Sequence, residues 1–442
     1  MKKTIPIMKA SLQAHPRRVL IVAAALHLAV SISIFAIGRS QLMPSQFDRN
    51  GVGQFASDGL FYQEDIVTLN DKLKNQGPVV WLQSVAPLHV KFYSLSHFLF
   101  SHWMGPSVLT IEPLNLVYYL AILWLAYKLA ETVFDRRAGI LTMAVIALWP
   151  SFLMHTTQLG RDPLLIVAIL TFVLIITKWL TKSPPFLWSF IAVVPAVLAV
   201  LTIWIVRLAM WDAVQGIMFV GFVLLIIRHF RERRLFGSAL LNAVILSIAI
   251  AIIPQSQTIK SQQRREADVG RPLLAERVAQ LTVWQRISKR REGFANLQKN
   301  GSSSAASNVD NEVQFNSMTD LIRYLPRAAA LGFFAPFPNM WFAKGAQVGR
   351  TGRLLSGLET LITYGLEILA LVGLWKVRKN LAAWLLAITV VSGLIGLGLI
   401  VLNIGSLYRF RYPFLMLIVV LATGGITHSL RSGANRQRSV NV

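Results

Sequence analysis

Residues 381–402 read LAAWLLAITVVSGLIGLGLIVL. No charged side chain interrupts the run, and it matches the roughly 20 residues that a helix needs to cross about 30 Å of hydrocarbon. A barrel strand would alternate polar and apolar residues, and this run does not. In lipid, only helices and closed barrels satisfy every backbone polar group. The stretch therefore predicts a membrane-spanning helix. Nine more stretches read the same way: Val19–Ile37, Leu114–Ala130, Ala138–Leu153, Pro163–Leu180, Phe186–Val206, Leu208–Ile227, Leu235–Ile253, Ser356–Trp375 and Tyr412–Ser429. The expected fold is all-α, a polytopic transmembrane helical bundle of about ten spans.

The composition agrees. Of 442 residues, 54% are hydrophobic and only 14% charged, against about a quarter charged in soluble domains. The formal charge of +24 clusters at the ends of apolar runs, where it sets orientation, so it does not read as a nucleic-acid footprint. Cysteine is absent, which excludes disulfides, cysteine-held zinc and a thiol nucleophile. Residues 1–18 are basic and precede an apolar stretch, as in a signal peptide. That stretch is longer than a typical signal core and no small-x-small cleavage site follows, so it reads as an uncleaved first span.

Orientation follows from the short connections. Arg17 and Arg18, Arg136 and Arg137, Lys178 and Lys182, Arg228 to Arg234, Lys376 to Lys379 and the tail with Arg431, Arg436 and Arg438 are all basic. These even-numbered connections are expected in the cytoplasm, with both termini, in the inner (plasma) membrane of a bacterium. The opposite, extracytoplasmic face then holds a first loop, 39–113, and a long loop, 255–355. The chain divides into an N-terminal membrane module, 1–254, the outer loop 255–355, and C-terminal helices, 356–442. The interrupted stretches Val79–Met104 and Leu325–Phe342 read as interfacial helices. Residues 300–308, NGSSSAASN, read as a flexible linker.

Residues able to carry chemistry gather on the outer face. Asp58, Tyr62 and Asp65 share one helical face by their spacing, and a carboxylate there could serve as a general base. Arg161-Asp162-Pro163 suits a helix start, with Asp as cap and Pro in the first turn. The same Arg161 and Asp162 stand at the mouth of the bundle, where an arginine beside a carboxylate could orient it or bind phosphate. Arg207 interrupts two apolar runs and either pairs with Asp212 or faces a cavity. Arg409 and Arg411 flank Phe410 just before the last span, on the side expected to be poor in positive charge, and suit a phosphate. Glu359 is expected near the outer surface and Glu367 nearer mid-membrane. The histidines have no metal-ligand spacing, and Glu266-Ala-Asp268 and Asp310-Asn-Glu312 read as solvated loop carboxylates. No motif calls for a cofactor, a divalent metal has no support from spacing, and no phosphate-binding glycine loop is present.

The order Asp58-Gly-Leu-Phe-Tyr62, Pro87-Leu-His-Val-Lys-Phe-Tyr93, Trp103-Met-Gly105, Asn115, Phe134-Asp-Arg-Arg-Ala138, Leu148-Trp-Pro150-Ser151, Arg161-Asp162 and Tyr408-Arg-Phe-Arg411-Tyr-Pro413 resembles the GT-C class of membrane glycosyltransferases. That class includes protein mannosyltransferases and the aminoarabinose transferases of lipid A. The resemblance covers about residues 15–180 and the C-terminal region. It implies transfer of a sugar, usually with inversion, from a polyprenyl-phosphate donor to a hydroxyl of a glycan, lipid or protein acceptor, within membrane lipid. It also implies Asp58 as the base. Many of the class carry two adjacent acidic residues there; this chain has Asp58-Gly59, and Asp65 is the reserve. Arg409 and Arg411 match basic residues near the carrier phosphate. Two other readings stand beside it. One is an O-antigen or polysaccharide polymerase or ligase using a polyprenyl-diphosphate glycan, which the long basic loop suits. The other is a non-enzymatic lipid-linked sugar carrier or flippase.

Overall fold

The computed structural model describes residues 15–56, 58–105, 107–182, 186–234, 236–255, 281–299, 307–342 and 348–440. The basic extreme N-terminus, Glu266, Asp268 and most of the 300–308 linker lie outside them. The α-helices of the described residues are, in chain order, α1 Pro16–Arg39, α2 Asp58–Gln76, α3 Pro78–Gln83, α4 Leu88–Met104, α5 Glu112–Val133, α6 Arg136–Ala147, α7 Pro150–Thr156, α8 Asp162–Thr181, α9 Phe186–Val206, α10 Trp211–Glu232, α11 Gly237–Ile252, α12 Val283–Lys299, α13 Met318–Phe334, α14 Gly349–Lys376, α15 Leu381–Ile400, α16 Ile404–Phe410 and α17 Tyr412–Val440. Among the described residues no strand forms, only the isolated bridges Phe47–Gly53 and Asn308–Asn403.

The predicted apolar stretches fall on helix, but among the described residues fewer than ten helices meet the length and hydropathy of a span. Among the described residues seven helices are long and apolar enough to cross a membrane, or eight if the bent pair α6–α7 is one span. The bend is 70° and has a local cause. Pro150 cannot donate to the preceding turn but fits the first turn of a new helix. Of the remaining two stretches, one forms the 21-residue helix α9, with the apolar helical segment Ile191–Val206, and the other forms the shorter α11, Gly237–Ile252. Sequence hydropathy reads where apolar residues run on, whereas the helix that results is set by where its hydrogen-bond ladder stops.

Polar caps set several helix starts. Asp135 accepts from the Ala138 amide, Asn380 from Ala382 and Asn403 from Ser406. Each satisfies one of the amides that a helix N-terminus leaves unpaired. The helices pack through small residues. A Cβ on Gly373 would lie 2.0 Å from the Leu421 carbonyl oxygen, and one on Gly398 2.0 Å from that of Ala328. These contacts bring α14 against α17 and α15 against α13, the close approach that glycine permits between helices in lipid.

The basic connections meet at one end of the bundle. Arg231 donates to the Lys379 carbonyl, Asn380 to that of Val133, and Arg228 to those of Trp179 and Lys182. Asp58, Asp162 and Arg409 gather elsewhere, at the start of α8. The first loop is bound there by backbone and buried polar contacts. The Gly53 amide donates to Gln158 Oε1 at 2.8 Å, and the Tyr93 hydroxyl lies 2.9 Å from both Asn115 Oδ1 and the Gly160 carbonyl. Gly59 packs against the Leu159 backbone, where a Cβ would come within 3.2 Å of its carbonyl oxygen.

Candidate functional site

The first turn of α2 and the turn leading into α8 form two sides of a small cleft, about 20 Å³, with Arg409 and Tyr412 as a third. Asp58, Tyr62, Arg161 and Asp162 line it. Arg409 spans the two carboxylates: its Nη2 lies 3.3 Å from Asp58 Oδ2, and its Nε 4.0 Å from Asp162 Oδ2. Arg207 enters from behind, 3.1 Å from Asp162 Oδ1, with its guanidinium 3.3 Å above the Phe410 ring. That geometry combines a buried ion pair with a cation–π contact. The alternative pairing of Arg207 with Asp212 does not occur. Asp212 instead takes Arg286 at 3.3 Å and Arg290 at 2.6 Å.

Asp162 is in the first turn of α8 and Arg161 holds the cap position with no side-chain cap bond. The carboxylate expected to cap the helix is turned to the arginines instead. With all groups ionised, three arginines face two aspartates, leaving one net positive charge. Burial by itself would raise the Asp58 pKa, but Arg409 and then Arg161 outweigh it and hold this carboxyl below its ordinary value. An opposite charge this close favours the ionised form.

Three expected residues stand apart from the cleft. Asp65 does not line it, and burial followed by the neighbouring Glu64 raises its pKa. Seven positions along α2 bring Asp65 to the same side as Asp58 but about 10 Å further along the axis. Arg411 is buried and donates through Nη1 to the carbonyls of Gly332, Phe333 and Ala335, at 3.4, 3.1 and 2.6 Å. It closes the C-terminus of α13. Two residues along a helix turn a side chain by about 200°, so Arg409 and Arg411 face apart. Glu359 does not line the cleft: it is buried, and accepts from Trp149 Nε1, the Ser151 amide, the Ser151 hydroxyl and the Tyr408 hydroxyl. The charge of an isolated carboxylate hid the set of donors that make burial tolerable. Asp310 is likewise not a solvated loop residue. It accepts from the Tyr324 hydroxyl and pairs with Arg327 at 2.9 Å.

The sequence reading missed two histidines beneath this cleft. His27, on α1, lies 2.6 Å from Glu112 through Nδ1 and 3.0 Å from the Thr156 hydroxyl through Nε2. Thr156 itself lines the cleft. The i, i+4 pair His27 and Ser31, both buried, is the sequence signal that could have marked a polar face on this span. His89, from the Pro87–Tyr93 motif, is buried with its ring 4.7 Å from that of Tyr62. Burial, helped by Arg161, drives it down to about 3, so it is neutral at physiological pH. Among the described residues no three histidine or acidic side chains converge as a metal site would require.

In chemical terms, the cleft combines an ionised carboxylate with a surplus of guanidinium charge. Such a pairing can remove a proton from a hydroxyl while holding an anion. No protein-family model matches the chain, and no curated protein matches it.

Proposed function

We propose that the chain is an integral-membrane glycosyltransferase of the GT-C type, moving a sugar from a polyprenyl-phosphate carrier to an acceptor hydroxyl on the extracytoplasmic face. The observation that carries this reading is Arg409 bridging Asp58 and Asp162 at one cleft. In the reaction, the acceptor oxygen bonds to the anomeric carbon while the bond from that carbon to the phosphate oxygen breaks. Asp58 takes the hydroxyl proton, and polyprenyl phosphate leaves as an anion. Arg409, Arg161 and Arg207 supply fixed positive charge where the leaving group gains negative charge. The cleft is close to the size of one water, so a sugar needs it to widen.

The test uses the purified full-length chain and a radiolabelled polyprenyl-phosphate sugar, with consumption of the carrier as readout. Consumption is expected, and its loss in Asp58→Asn. Retained consumption in that variant overturns the base assignment. Consumption of a diphosphate-linked glycan alone would make the chain a polymerase or ligase, and movement of lipid across a vesicle with no consumption a carrier.

A further inference from the structure

We infer that a second cleft, between α12 and residues 311–314, binds a neutral, hydroxyl-rich glycan, the acceptor of the transfer proposed above. The word acceptor rests on that reading; the glycan site does not. The cleft measures about 320 Å³, the low end of small-molecule sites and a fit for one or two sugar rings. Ser288, Glu292, Asn296, Asn311, Glu312 and Gln314 line it. Carboxamides present a donor and an acceptor side by side, and carboxylates present paired acceptors. Together they match the vicinal hydroxyls of a sugar.

Charge argues against an anionic headgroup here. Arg291 also lines the cleft, but its guanidinium is engaged elsewhere. Nε donates to the Val313 carbonyl at 3.1 Å, Nη1 to that of Leu399 at 3.1 Å, and Nη2 to that of Asp310 at 2.6 Å and to the Tyr324 hydroxyl at 3.3 Å. Its charge holds the wall together, while Glu292 and Glu312 repel anions.

Both walls are tied to the segments that lead to Arg207 and Arg409. Arg286 and Arg290 of α12 bind Asp212, five residues after Arg207. On the other wall, the Val309 amide donates to the Leu402 carbonyl at 3.0 Å, and Asn403 Nδ2 to Asn308 Oδ1 at 3.1 Å. Asn403 also caps α16, and Arg409 lies six residues on, about 9 Å along the helix. An acceptor held in this cleft would therefore be positioned by the same segments that hold Arg207 and Arg409.

Saturation-transfer-difference NMR on the full-length chain in detergent, with mannose, glucose, galactose and N-acetylglucosamine as probes, tests the site. Signals from at least one sugar are expected in the parent chain and in Asp58→Asn, and their loss in Asn296→Trp, which fills the cleft. Gln314→Trp replaces that variant if its melting temperature falls. Absence of signal for all four sugars overturns the site, as does signal that survives filling. If signals behave as expected while no carrier sugar is ever consumed, the glycan site stands and the transferase reading falls.

Discussion

Arg409 Nη2 lies 3.3 Å from Asp58 Oδ2, joining residues 351 positions apart in the chain. Arg409 is the first cause holding the Asp58 carboxyl low against the raising effect of burial. In the parent chain Asp58 therefore holds its charge to lower pH than an ordinary carboxyl, and the pair's contribution, full above the ordinary carboxyl range, is lost as pH falls through the lowered folded-state value. Arg409→Gln removes the lowering charge and leaves burial. Its expected effect is an acid limb of the pH–rate profile displaced to higher pH, together with a fall in rate. An acid limb that stays in place would show that Asp58 is not the base.

Arg411 predicts a different outcome from its neighbour. Arg411→Ala leaves three carbonyls at the end of α13 without their donor. Hydrogen bonds from a charged group contribute about 1.5–3 kcal/mol, so a loss of that order in stability is expected, read as a lower melting temperature in detergent. The apparent KM for a polyprenyl-phosphate sugar should hardly change. A raised KM with full thermal stability would return Arg411 to the carrier phosphate.

What was legible in the sequence follows from the range of the physics behind it. The 381–402 run reveals a span because hydropathy is a local property. Arg17, Arg136 and Arg228 mark one set of helix ends for the same reason. Asp58, Arg161 and Arg409 could be named as candidates because charge at the edge of an apolar run is unusual. Their partners could not be read. Whether Arg207 meets Asp212 or Asp162 depends on helix packing 45 residues away. Whether Arg411 faces a cleft or the carbonyls of α13 depends on how close Gly398 lets α15 approach. The second cleft was equally hidden, because Arg291 reads as one more loop cation until its acceptors are seen.

The Asp162–Arg207 pair offers a double-mutant test. The Arg207 side chain is 8% exposed and that of Asp162 19%. Removing one member of a buried pair strands the other, typically at about 3–5 kcal/mol. Asp162→Leu alone is expected to destabilise strongly, since Arg207 loses its ion-pair partner and keeps the Phe410 ring. Asp162→Leu with Arg207→Met should recover much of that stability while abolishing carrier consumption. Thermal melts of the single and double variants check this. Additive losses would mean that the two residues act independently.

Glu359 takes four hydrogen bonds, and one of its donors, Tyr408, immediately precedes Arg409. The same carboxylate is linked through Ser151 to Tyr412, which lines the cleft. Its expected role is positional. Glu359→Gln turns one acceptor oxygen into an NH2 that faces donors, so at least one bond is lost and α16 gains freedom. Misplacement of Arg409 should act on the charge that develops as the phosphate leaves rather than on binding of the carrier. The rate constant kcat is expected to fall on the order of tenfold, about 1.4 kcal/mol of barrier, with KM for the carrier unchanged. A rise in KM with kcat intact would instead mean direct contact with the carrier, which burial beneath Ser151 and Tyr408 argues against.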